Sequence, residues 1–114
     1  MTIKQSLEAS TGLPVSRLKY SGTAKTYITF FEYDEDVENS SDDEIETIGH
    51  YVQVDLWTNT DFTNYKSLIK LAMKNASFYF TNAEELYEDD TLLYHWASRY
   101  VQEEHITNEE VTSL

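Results

Sequence analysis

Three histidines, His50, His95 and His105, and the carboxylate of Asp55 are the residues whose types suit proton transfer or metal ligation in this chain. An imidazole titrates near neutral pH and offers a nitrogen donor, so a His–Asp pair could act as a general base and a His cluster could hold zinc. None of these residues is close to another by helical or hairpin spacing, so only the fold could bring them together. The ordinary role of a strand histidine is that of a surface or core residue. A second set, Asp34, Asp36, Glu38, Ser40 and Asp42, repeats oxygen ligands at alternate positions like the first nine positions of a helix-loop-helix calcium site. Asn39 stands where the turn glycine belongs, Ile45 stands where the bidentate Glu belongs, and strands are expected on both sides instead of helices. With no cysteine there is neither a thiolate metal site nor a disulfide, and with 3 glycines there is no phosphate-binding loop and no G-x-S-x-G elbow. No cofactor is expected, and no motif points to an enzyme.

What stands out instead is charge. Asp34, Glu35, Asp36, Glu38, Asp42, Asp43, Glu44 and Glu46 fall in one segment that contains no Lys or Arg. Ionised carboxylates rarely bury unpaired, so 34–46 is expected to be a long acidic loop lying in water or facing a partner. The formal net charge of -13 argues against binding a phosphate backbone, which needs clustered cations. Two basic trios remain as possible contacts for an acidic surface: Arg17, Lys19 and Lys25, and Lys66, Lys70 and Lys74 on one side of a helix. Each is also consistent with a solvated face.

The elements that must position these groups follow from periodicity. Thr2–Thr11 reads as a short helix closed by Gly12 and Pro14, and Leu13–Ala24 as a connection anchored by Leu18 and Tyr20. Thr26–Tyr33 and His50–Thr58 read as strands, the second with Val52, Val54 and Leu56 alternating with Tyr51, Gln53, Asp55 and Trp57. Asp61–Asn75 is a helix, because Tyr65, Leu68, Ile69, Ala72 and Met73 recur on one face and Thr60 or Asp61 can cap its start. Ser77–Thr81 is a short strand, Asn82–Asp90 an acidic turn, and Thr91–Val101 a closing strand. The order predicts an α+β fold: a single largely antiparallel sheet of about four strands with helices packed on one face. Residues 1–101 would form one domain and 102–114 a flexible tail or an arm that orders on a partner.

If the two central strands pair, Tyr27, Phe31, Tyr33, Tyr51 and Trp57 share the face opposite the valines. They would lie either beneath the N-terminal helix or at a subunit interface, where Tyr and Trp combine area with a polar handle. The start of the chain has no basic-then-apolar leader, and no window approaches the roughly 18 apolar residues of a membrane span. A soluble protein with no membrane contact is expected.

Leu13-Pro14-Val15, Tyr27-Ile28-Thr29-Phe30, the acidic segment, Gly49 through Trp57, the following helix and Leu93-Tyr94-His95-Trp96-Ala97 together form a pattern that covers roughly Leu13 to Val101. It resembles the tail-completion or tail-terminator proteins, also called head-tail joining proteins, of long-tailed phages and of prophages in Gram-positive bacteria. The resemblance implies a non-enzymatic subunit, made in the bacterial cytoplasm, that forms a ring, typically a hexamer, at the head-tail junction of the virion. Its partners would be further copies of itself and other tail or connector proteins, with DNA passing through the ring without stable binding. An acidic segment suits a channel that must not retain DNA, so 34–46 would face the lumen or a docking surface, or meet Lys66, Lys70 and Lys74 of a neighbour. Two alternatives stay open: an acidic DNA mimic or regulatory binding protein, which needs carboxylates along one elongated surface, and a small ligand-binding domain or enzyme built on His50, Asp55 and His95.

Overall fold

The computed structural model describes residues 2–40, 45–60 and 63–107. Helix α1 (Ile3–Thr11) begins with a capping box, in which Thr2 Oγ1 accepts from the Gln5 amide while the Gln5 side chain accepts from the Thr2 amide. It ends at Gly12, whose φ of 70° gives the left-handed turn that releases the chain. Strand β1 (Val15–Arg17) lies within what the sequence suggested was only a connection, because three residues are too few to show an alternation. Of the two anchors expected there, Tyr20 holds: its ring stacks on Tyr27 and its hydroxyl accepts from the Ala24 amide. Gly22 lets the chain pass against that ring, since an added Cβ would lie 2.2 Å from the Tyr20 oxygen. Leu18 instead turns outward with a φ of 69° and is exposed.

Strands β2 (Thr26–Ser40) and β3 (Ile45–Thr58) run far beyond the predicted segments. Asp34–Ser40 pairs with Glu46–Tyr51, so most of the expected acidic loop is strand; Asp42, Asp43 and Glu44 lie outside the described residues. Helix α2 (Thr63–Asn75) follows, and the capping role expected of Asp61 also falls outside the described residues. Strand β4 (Tyr79–Glu88) takes up nearly all of the expected acidic turn, and β5 (Leu93–Thr107) takes up the first part of the expected tail, with Gln102–Thr107 paired to Ile45–His50. Residues 108–114 lie outside the description.

The sheet has five strands in the order β1-β2-β3-β5-β4, antiparallel except for the parallel β1–β2 pair. This is the α+β single sheet that the sequence predicts, with β1 as the additional strand. Register explains the core: Ile28 sits opposite Leu56, which sits opposite Trp96, and Val52 sits opposite Tyr100. These side chains point to one face and pack on Leu7 of α1 and on Ile69, Ala72 and Met73 of α2. The two helices are tied by a buried hydrogen bond from Ser6 Oγ to the Ala72 carbonyl, 2.7 Å. The buried core reaches the Val52–Tyr100 row, and β2, β3 and β5 run on beyond it as a three-stranded arm. The molecule measures 52 × 24 × 23 Å.

Candidate functional site

Both helices pack on the valine side, so of the two places expected for the aromatic face, beneath the N-terminal helix or at a subunit interface, the first does not hold. Its rings are organised nonetheless. Tyr20 stacks on Tyr27, Tyr27 on Trp57 and Trp57 on His95, with centroids 4.1, 6.3 and 3.8 Å apart, while Tyr33 bridges Phe31 and Tyr51. Under the end of this ladder Asp55 Oδ1 lies 2.6 Å from His95 Nε2 and accepts from Gln53 Nε2 at 2.8 Å. Both members of the pair are buried. Arg99 extends the network, donating to Gln53 Oε1, Asn82 Oδ1 and Glu84 Oε1 from three separate nitrogens. His95 Nδ1 is buried without a hydrogen-bond partner, the nearest carboxylate being that of Glu88 at 3.5 Å. The sequence marked His95 and Asp55; it gave no signal for Gln53, Arg99 or Glu84, which cross-strand register places beside them.

His50 does not join that pair. It lies on the other face of β3, at the root of the arm, where carboxylates from two neighbouring strands converge on it: Glu32 at 2.9 Å and Glu35 at 3.7 Å from Nδ1, and Glu104 at 3.4 Å from Nε2. His105 is separate again, with Nδ1 3.1 Å from Thr47 Oγ1. The three histidines therefore occupy three places, and the expected convergence reduces to one buried His–Asp pair.

Glu32, Glu35 and His50 place ligand atoms within 4.8 Å of one another. Because Nδ1 of His50 is already hydrogen-bonded to Glu32, the arrangement suits a shared proton. The Glu32 hydrogen bond, reinforced by Glu104, pushes the His50 pKa above its ordinary value against the opposing effect of partial burial. A group whose pKa rises on folding stabilises the fold fully below its unfolded pKa, and that contribution disappears as pH climbs through the folded value. Thermal melts of wild type and His50→Gln should differ most in mildly acidic buffer and converge as pH rises past the histidine range. A gap that widens with pH would contradict a stabilising role for the carboxylates around His50.

The arm holds the first part of the calcium-like run; Asp42 lies outside the described residues. Asp34 to Ser40 is extended strand, rising about 3.3 Å per residue, so Asp34 and Asp36 are spaced along a strand and not around a loop. Register divides the carboxylates of β2 between faces: Asp34 and Asp36 sit opposite Tyr51 and Gly49 on the aromatic side, while Glu32 and Glu35 sit opposite Val52 and His50 on the helix side. Glu46 pairs with Ser40 on the helix side, and Glu38 lies at a register shift between Val37 and Asn39. Such a division works against the single phosphate-like row of a DNA mimic. Where the arm leaves β1, Arg17, Glu32, Tyr33, Asp34 and Glu35 line an open cleft of about 430 Å³.

The lysine trio is on α2 as the spacing requires, and two of its members have partners within the chain. Lys66 is ion-paired to Glu85, and Lys70 Nζ lies 4.5 Å from the Phe80 ring centroid. Both also approach Trp96, at 5.7 and 5.9 Å. Lys74 stands in the last turn, where a cation favours the helix dipole.

No protein-family model matches this chain, and no curated protein matches it. Among solved structures, a chain of the virion of a native gene transfer agent particle superposes with a TM-score of 0.61, covering 93% of this chain and 92% of that one. The fold is similar to that of a virion chain. Sequence identity is 16%, so the likeness establishes the shared fold across nearly the full length of both chains.

Proposed function

We propose that this protein is a non-enzymatic structural subunit of a phage-type virion, of the tail-completion kind, that forms a ring at the head-tail junction. The observation that carries the reading is the fold likeness to a virion chain over 93% of the length, and the sequence pattern resembling tail-completion proteins points the same way. The architecture suits the role: a helix-backed sheet presents an aromatic face with Tyr and Trp that no described helix covers, the composition of protein–protein contact surfaces. Heterologous head-to-tail contacts between such faces and a neighbouring copy are what close rings. In this reading a hexamer surrounds the DNA path, and the acidic arm faces the lumen or the docking surface toward the next virion component. Carboxylates there repel phosphate and let DNA pass without retention. The partners are further copies of the chain and tail or connector proteins, and the protein is made in the bacterial cytoplasm before assembly.

Light scattering of the purified full chain, followed by electron microscopy, tests the assembly. Rings of uniform size with a central opening are the expected result. A species that stays monomeric up to high concentration, and also fails to form rings when mixed with tail tubes from the same particle, would overturn the proposal.

A further inference from the structure

We propose that the outer edge of β2 from Glu32 to Val37 is a docking site for an extended, Lys- or Arg-rich segment of a partner protein, which adds to the sheet as a strand where β1 leaves off. Strand β1 covers β2 only from Ile28 to Phe30. The last bond on that side runs from the Leu18 amide to the Phe30 carbonyl, 2.8 Å, after which Leu18 turns the chain away through its positive φ. Beyond Phe30 no strand among the described residues receives the outward peptide groups of β2, although its inner side is paired to β3, with register shifts between Glu32 and Asp34 and between Val37 and Asn39. Such an edge is a template for another strand, and native sheets restrict it with charge, proline or a bulge. This edge has no proline; its bulge between Glu32 and Asp34 and its carboxylates Glu32, Asp34, Glu35 and Asp36 discourage pairing with an acidic strand, while the same charges favour a basic one.

Charge selects the occupant. The other open edge of the same sheet, β4, carries Glu84, Glu85 and Glu88, so a second copy adding through β4 would set carboxylates opposite carboxylates. A basic strand would meet them with opposite charge. The cleft lined by Arg17, Glu32, Tyr33, Asp34 and Glu35 opens at the start of this edge, and the half-exposed Tyr33 ring offers a face for a cationic side chain. The site goes beyond the ring reading: docking and ring formation are measured separately, and either can fail without the other.

The test uses the full chain and three synthetic peptides: an alternating Lys–Val peptide, the same peptide with Glu for Lys, and the Lys–Val peptide N-methylated on alternate backbone nitrogens. Binding is followed by fluorescence anisotropy and amide hydrogen exchange. The Lys–Val peptide should bind and slow exchange within 32–37, the Glu peptide should not bind, and N-methylation should weaken binding about tenfold or more through lost backbone hydrogen bonds. The double substitution Asp34→Lys/Glu35→Lys should shift preference toward the Glu peptide. Equal binding of the N-methylated peptide, or protection appearing elsewhere, would reduce the contact to general electrostatics and overturn the site. Concentration-dependent self-association that protects the same amides would overturn the choice of occupant.

Discussion

Trp96→Ala is expected to destabilise the protein by about 3–5 kcal/mol, the range for removing a large buried aromatic ring. Trp96 is 3% exposed and sits opposite Leu56 in the central register of the helix-side core. Its removal leaves a void under α2 that the fixed sheet cannot close. It also deprives Lys66 and Lys70 of the ring that both ammonium groups approach, so the substitution loses packing and electrostatics at one point. Urea denaturation would read the loss directly, and the melting temperature should fall by more than about 10 °C for a domain of this size. Leu71→Ala, on the exposed side of α2, is the control and should change stability by no more than about 0.5 kcal/mol. A Trp96→Ala loss below about 1 kcal/mol would mean the helices do not pack on this row.

Asp55→Ala should come next, at about 2–4 kcal/mol, for a different reason. The substitution removes no large volume; it strands two donors, His95 Nε2 and Gln53 Nε2, that now meet the Asp55 carboxylate. A buried donor left without an acceptor costs its full desolvation, and more when charge is involved. Asp55→Asn retains an acceptor oxygen and should lose about half as much. A double-mutant cycle with His95→Phe separates the pair from its surroundings: if the loss comes from stranded polar groups, the double variant should be less destabilised than the sum of the singles. Additive losses would show that Asp55 and His95 act independently. Because Trp57 stacks on His95 at 3.8 Å, its near-ultraviolet circular dichroism should report the disturbance.

The readable parts of this fold were those where burial leaves a period. Val52, Val54 and Leu56 alternate because one side of β3 meets helices and the other does not, and the α2 stripe from Tyr65 to Met73 is continuous for the same reason. The arm could not be read that way. Asp34 to Val37 are exposed on both faces and show no apolar alternation, and the strand character of this segment comes from pairing with β3, itself flanked by β5 from the far end of the chain. Charge density there was a sound guide to exposure and a poor one to backbone shape. The same limit hid the strand at Asn82–Glu88, an edge whose residues are nearly all exposed.

The histidines show the corresponding limit for sites. Asp55 and His95 were recognisable as chemistry-bearing residues, and cross-strand register joined them. His50 differs from Asp55 by an odd number of residues, so strand alternation puts it on the opposite face. There it finds Glu32 and Glu104, one just before the acidic segment and one in the expected tail, neither of which any local motif marks. The aromatic face was legible as a set of residues; which layer covered it depended on the side taken by α1, which no residue in the sequence specifies.

The most direct measurement of the central proposal is made on particles. Virions purified from cells that encode the protein would be examined by quantitative mass spectrometry and by electron microscopy with an antibody to this chain, alongside particles from cells lacking its gene. The expected result is a small, fixed, ring-like copy number per particle, label at the head-tail junction, and separate heads and tails when the gene is absent. Complete particles of normal composition from cells lacking the gene, or absence of the chain from purified virions, would contradict it.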